Sequence, residues 1–182
     1  MNDVLKAIHE RNSCRDFSPK PLDKSIIQTL ADAALAAPSA MNAQPWHIVI
    51  VTDKNIIEEY DKDAMSIIEI ENKESFDRMK ERGGKIFYNA PCLIFILKNN
   101  SEWASLDCGI VTQNIALAAH SLGLGNVICG MARIPLGGKN KEDWKKRLNF
   151  PEGFEFAMSV AIGHANSGKT PHELDKTKLT FI

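Results

Sequence analysis

Arg11, Ser13 and Arg15 alternate along Glu10-Arg11-Asn12-Ser13-Cys14-Arg15-Asp16-Phe17, so in an extended segment their side chains share one face. Guanidinium forks and a hydroxyl on one face suit a terminal phosphate, because Arg stays charged and grips oxygen pairs in bidentate geometry. The same residues also fit a solvated charged turn in which Arg15 lies beside Asp16. A second stretch with chemical potential is Ala37-Pro38-Ser39-Ala40-Met41-Asn42-Ala43-Gln44-Pro45-Trp46. Pro38 and Pro45 fix φ and lack N–H donors, while Ser39, Asn42 and Gln44 offer hydrogen bonds in several directions. Such a stiff, polar, small-residue loop suits a flat heteroaromatic ligand, and equally a satisfied connection between a helix and a strand.

The flanking pattern says what must hold these stretches. Before the loop, Ile26, Ile27, Leu30, Ala33, Ala34 and Ala37 recur at helical spacing, with Asp23 placed as N-cap of a helix from about Lys24 to Ala36. After it, His47 to Thr52 is short, β-branched and apolar, the pattern of a buried strand. Residues 2 to 11 read as a short amphipathic helix, and residues 54 to 71 as another. Residues 71 to 89 are highly charged, contain Gly83-Gly84, and carry Phe76, Met79, Phe87 and Tyr88 at irregular spacing, which predicts a helical excursion or a lid over a pocket. Cys92 to Leu97 is a second buried strand, and Ser101 is placed to cap the longest helix, running to about Leu122. That helix is apolar nearly all round, so it must be buried on all sides, most economically against its own copy in a symmetric dimer. Gly123 and Gly125 stop it, and a strand over Asn126 to Met131 follows, with Gly130 marking a bulge or a close approach to a ligand. A surface helix over 140–149, a strand Glu155 to Gly163, and a terminal strand Lys178 to Ile182 suited to a partner's sheet edge complete the chain.

Composition narrows the function classes. A chain of 182 residues supports one α/β-containing domain over 1–182. Net charge is −1 with no basic stripe, which argues against nucleic acid. No apolar run approaches a membrane span and the N-terminus has no apolar signal core, so a cytoplasmic protein without a membrane partner is expected. Cys14, Cys92, Cys108 and Cys129 are widely spaced and read as free thiols, and the histidines show no metal-ligand spacing. Gly123-Leu124-Gly125 precedes a strand instead of following one, the wrong order for a dinucleotide fingerprint.

In motif order the chain resembles the nitroreductase family of FMN-dependent oxidoreductases. The resemblance rests on Arg11-x-Ser13-x-Arg15, the Pro38 to Trp46 loop, the central helix from Asp107-Cys108-Gly109 to Gly123, the Ile128-Cys129-Gly130 stretch, and Gly163-His164 before Lys169. It implies an α+β, three-layer fold with a mixed or antiparallel central sheet flanked by helices, forming an intertwined homodimer with C-terminal strand exchange. It further implies bound FMN, with NAD(P)H as donor and a small electron-poor acceptor such as a nitroaromatic or quinone, by ping-pong kinetics. Arg11, Ser13 and Arg15 would hold the phosphate and ribityl oxygens, with Lys169 closing the phosphate site. Pro38, Ser39, Ala40, Met41, Asn42 and Gln44 would reach the flavin of the other subunit. Ile128, Cys129 and Gly130 would offer backbone groups to the ring, and no protein acid or base is needed, since flavin N5 carries the chemistry. Many members have a second basic residue just after the position of Lys169; here Thr170-Pro171-His172 follows, so either the three named cations suffice or His172 contributes. Asn72 is a candidate for the ring-contacting residue of larger members. Dehalogenation, azoline oxidation and flavin fragmentation on the same scaffold, or a flavin-binding storage or sensor module, are the alternatives.

Overall fold

Apolar runs without polar alternation need cover on both faces of a sheet, and the structure supplies it. This computed structural model describes residues 1–168 and 170–182. The strands are β1 (Trp46–Val51), β2 (Cys92–Lys98), β3 (Gly125–Ile128) and β4 (Glu155–Gly163), in the order β1-β2-β4-β3 with all neighbours antiparallel. The helices are α1 (Asp3–Glu10), α2 (Lys24–Leu35), α3 (Lys54–Glu71), α4 (Lys73–Glu81), α5 (Ala104–Ser121) and α6 (Lys141–Arg147). The expected three layers follow from β2: Cys92, Ile94 and Ile96 join a core with Leu30, Val111 and Ile115. Leu93, Phe95 and Leu97 join a second core on the other face, with Tyr60, Phe87 and Trp144. The antiparallel arm of the mixed-or-antiparallel expectation is the one found.

Several boundaries differ from the sequence reading for local reasons. Asp23 sits at the N-cap of α2 but makes no side-chain cap bond. Ser101 does not cap α5; its carbonyl accepts from Ala104 N at 3.1 Å in a turn, and the helix starts at Ala104. β3 stops at Ile128 because Gly130–Arg133 winds into a tight helical turn. In the 71–89 segment the helical excursion is α4, but Phe87 and Tyr88 are core residues, Phe87 packing at 5.8 Å from Tyr60 and 6.3 Å from Phe95. Phe87 fills the interior, whereas Tyr88, although buried, also lines a cavity with Arg15 and Arg82. The strand expected over Lys178 to Ile182 does not form within the chain: Lys178 closes a 3-10 turn begun at Lys176, and Leu179–Ile182 is exposed and pairs with no strand among the described residues.

α5 packs one face onto the sheet and α2 through Cys108, Val111, Ile115 and Ala119. Its opposite side, with Ser105, Leu106, Gly109 and Gln113, is exposed within the single chain, Leu106 at 62%. Full burial of this helix is therefore not achieved by one chain. Val4, Leu5 and Ile8 of α1 are exposed as well. No helix is long and apolar enough to cross a membrane, and no group of His, Cys, Asp or Glu suited to a metal occurs among the described residues.

Candidate functional site

The Arg11–Arg15 segment lies along the free edge of β3. Ser13 bridges Asn126 in parallel, and Cys14 N donates to Asn126 O at 2.8 Å. Cys14 is buried, its Sγ donating to Asp16 O, so Arg11, Ser13 and Arg15 take the other side. A residue larger than glycine at 125 would not permit this approach: a Cβ there would sit 2.9 Å from Cys14 Sγ and 3.0 Å from Ala165 Cβ. The solvated-turn alternative needs Arg15 to pair with Asp16, but Asp16 Oδ1 instead accepts from Asn166 Nδ2 at 2.9 Å. Arg15 lines an open cavity of about 510 Å³ with Arg82 and Tyr88. Arg11 Nη1 is buried and has no hydrogen-bond partner. An unsatisfied buried guanidinium nitrogen is costly, so its presence points to an anion that completes it.

The Pro38–Gln44 loop is held in a conformation that side chains resist. Met41, Asn42 and Gln44 have φ of 54°, 54° and 44°, and left-handed backbone at such residues costs about 1 kcal/mol each. Contacts fix it: Gln44 N donates to Ser39 Oγ at 2.9 Å, Gln44 Nε2 donates to Asn42 Oδ1 at 3.2 Å, and Ala40 N donates to Asp107 Oδ1 at 3.3 Å. Asp107 is buried, with Oδ2 lacking a partner. The stretch is pinned from below while Met41 stands fully exposed. Strain held by a buried carboxylate fits a ligand-contacting loop better than a mere connection. The sequence alone marks Asp107 only as the start of the central-helix motif and gives it no partner, although an acid in an otherwise apolar helix is a visible signal.

Of Ile128, Cys129 and Gly130, the structure separates the middle residue from its neighbours. Cys129 N donates to Ser159 O at 2.8 Å, Ser159 Oγ donates to Cys129 O at 2.7 Å, and Cys129 Sγ points to Ile86 O. Its backbone is thus committed to β4 and its thiol to the core. Because antiparallel pairs alternate, the N–H and C=O of Ile128 face away from β4, on the edge where Asn126 O meets Cys14. The Gly130 N–H opens a helical turn and has no intrahelical partner. A Cβ at Gly130 would meet nothing nearer than Met158 Sδ at 3.9 Å, so the bulge or close contact expected of this glycine is not imposed by the chain itself. The turn that follows is anchored by Tyr60 Oη, which donates to Ala132 O at 2.6 Å.

Asn72 is accounted for differently: its side chain caps α4, accepting from Ser75 N at 2.9 Å. It also lines a cavity of about 610 Å³ that begins at Met131, beside Gly130. His172 is exposed in the C-terminal tail, and Lys169 lies outside the described residues. The two groups of site residues are held at different parts of α5, the loop at Asp107 and the arginine edge through Asn126, whose Nδ2 donates to Ala116 O. Those anchor points are about 14 Å apart along the helix at 1.5 Å rise per residue. Burial pushes the thiols of Cys92 up to about 12 and of Cys108 and Cys129 up to about 11, so none is a thiolate near neutrality.

Arg11, Ser13 and Arg15 thus lie along the short edge strand of a three-layer antiparallel α+β fold. The chain belongs to the Nitroreductase family, which it matches over residues 8–164. It is similar to a crystal structure of a nitroreductase with bound FMN from Desulfitobacterium hafniense, with TM-score 0.95, 42% identity, and 100% of this chain and 99% of that one covered. It also resembles two archaeal proteins carrying the provisional name NADH dehydrogenase/NAD(P)H nitroreductase. The one from Methanothermobacter thermautotrophicus is 33% identical over 135 residues, 71% of this chain and 61% of that protein, so the chain spans about three fifths of its length. The one from Archaeoglobus fulgidus is 29% identical over 182 residues, 96% of this chain and 92% of that protein.

Proposed function

We propose that the protein is an FMN-dependent oxidoreductase that takes electrons from NADH or NADPH and passes them to a small electron-poor acceptor. The observation that carries this reading is the buried, unpartnered Nη1 of Arg11 on the same edge as Ser13 and Arg15. Those residues fit a phosphate monoester, with Arg11 and Arg15 as charged donors and Ser13 as a hydroxyl donor. Ile128 and Gly130 fit the polar edge of a flavin ring, because their N–H groups are uncommitted and fixed in place by Ser159 and Tyr60. Fixed donors there favour negative charge on a reduced ring. When bound, FMN supplies the redox chemistry, accepting hydride at N5 and passing electrons to a nitroaromatic or quinone. The protonated thiols take no part, and no side chain is assigned as acid or base.

The site is shared between two copies of the chain. Antiparallel packing of the exposed α5 face on its own copy brings the Asp107 end of one helix to the Ala116 end of the other. The Pro38–Gln44 loop of one protomer then faces the arginine edge of its partner, removing the separation of about 14 Å within one chain. Leu179–Ile182 would lie along β1 of the partner, an edge strand with a groove of about 370 Å³ lined by Leu35, Trp46 and Ile48. The test of function is steady-state kinetics with purified holoenzyme: donor and acceptor share one pocket in turn, so double-reciprocal lines should run parallel. Intersecting lines would refute the ping-pong relay.

A further inference from the structure

The cavity beside Met131 has an apolar floor that includes Ile68 and Leu136, both buried, and Phe156, half-buried. Above it stand Arg133, from the turn that follows Gly130, and Lys141 and Lys145, four residues apart and so on one side of α6. None of these cations takes part in an ion pair among the described residues, whereas Arg147 on the same helix is bound to Glu59 at 2.6 Å. Lys141 and Lys145 are half-buried and line the cavity. Asn72 adds donors, since its Oδ1 is spent on capping α4 and leaves Nδ2. Two acids, Glu71 and Glu155, also line the space and are exposed, as is Arg133, and three cations against two acids leave the balance positive by one charge.

We infer that this cavity selects planar aromatic acceptors that carry an anionic substituent, such as a carboxylate, over neutral ones. The inference rests on the flavin reading above, which places the electron source next to Gly130. The ring would lie on the apolar floor, and the anion would meet Arg133 and Lys145 at the rim. For a nitro acceptor the balance is simple: two electrons and one proton arrive as hydride equivalents from the reduced nicotinamide, a second proton comes from water, and the nitro group becomes nitroso with release of one water.

The test compares meta-nitrobenzoate with its neutral isostere meta-nitrobenzamide on the FMN-loaded enzyme, and measures benzoate binding by calorimetry. The wild type should favour the acid in kcat/KM by about tenfold or more at low salt, with the preference shrinking as salt rises. In the Arg133→Gln/Lys145→Gln variant the ratio should fall toward one and the benzoate Kd should rise by a similar factor. A wild type without preference, or a variant with an unchanged ratio and unchanged benzoate Kd, overturns the inference. A variant that raises KM for NADPH alone also overturns it, assigning the cations to the nicotinamide nucleotide. Turnover of the amide without preference for the acid defeats this inference but spares the flavin reading. An enzyme that binds no FMN defeats that reading, and benzoate calorimetry still judges the cavity.

Discussion

Removing the Arg11 guanidinium should produce two effects of opposite sign. Its Nη1 is buried without a partner, and a buried unsatisfied donor costs about 1 to 3 kcal/mol. Arg11→Met keeps the aliphatic stem and deletes that donor, so the apo-protein should gain roughly 1 kcal/mol, seen as about 2 to 4 °C in Tm. The same change deletes a charge-assisted bond to the phosphate, so FMN should bind about 1.5 to 3 kcal/mol more weakly, roughly 10- to 150-fold in Kd. Arg15 is exposed, so Arg15→Ala should weaken FMN over the same range while leaving the apo-protein Tm unchanged. FMN titration followed by fluorescence quenching, with thermal melts of apo and loaded protein, reads both quantities. An Arg11→Met protein that is less stable without FMN, yet binds FMN as the wild type does, would show Arg11 to be a structural residue and refute the argument.

Other positions make separate predictions. Gly125→Ala forces a Cβ to 2.9 Å from Cys14 Sγ; it should cost about 1 to 3 kcal/mol in urea unfolding and also raise the FMN Kd, and a neutral result would mean the arginine edge is not set by this contact. Leu106→Glu places a charge on the exposed face of α5 and should turn a dimer into monomers with loss of FMN in sedimentation runs; a dimer with normal flavin content would exclude this face as the interface. Asp61 is buried, its Oδ1 accepting from Ile86 N at 2.8 Å and Phe87 N at 3.2 Å, and burial raises its pKa to about 6. Its folded pKa exceeds the unfolded value, so the folded state favours the protonated form, and stability from this group falls as pH rises through about 6. Asp61→Asn should therefore raise Tm relative to wild type at pH values above that midpoint, and the gain should shrink toward pH values near 4; a gain independent of pH would remove Asp61 as the cause.

Much of this was legible in the sequence because the signals were redundant. The apolar, β-branched run Cys92 to Leu97 reads as a buried strand, and the structure covers it on both faces; the alternation of Arg11, Ser13 and Arg15 fits the edge position that Ser13 and Asn126 form. What stayed hidden depended on contacts distant in sequence. Cys129 could not be told from Ile128 and Gly130 until Ser159, on β4, was seen to occupy its backbone. Asp107 looked like one more residue of an apolar helix, although it holds Ala40 N from 67 positions away. Phe87 and Tyr88 lie in a charged, glycine-containing segment, and contacts from Asp61, Cys129 and Phe17 to Ile86, Phe87 and Tyr88, all distant in sequence, turn it inward. The cavity with Arg133, Lys141 and Lys145 draws on elements separated by most of the chain, which no spacing rule reveals.

FMN bound at the Arg11–Ser13–Arg15 edge should relay electrons from a nicotinamide. Anaerobic stopped-flow mixing of the purified protein with NADH, and separately NADPH, tests it directly. The visible flavin absorbance should be lost within the turnover time with at least one donor and recover fully when an electron-poor acceptor is added without oxygen. A protein that carries no flavin after incubation with FMN, or whose bound flavin neither donor bleaches, would contradict it.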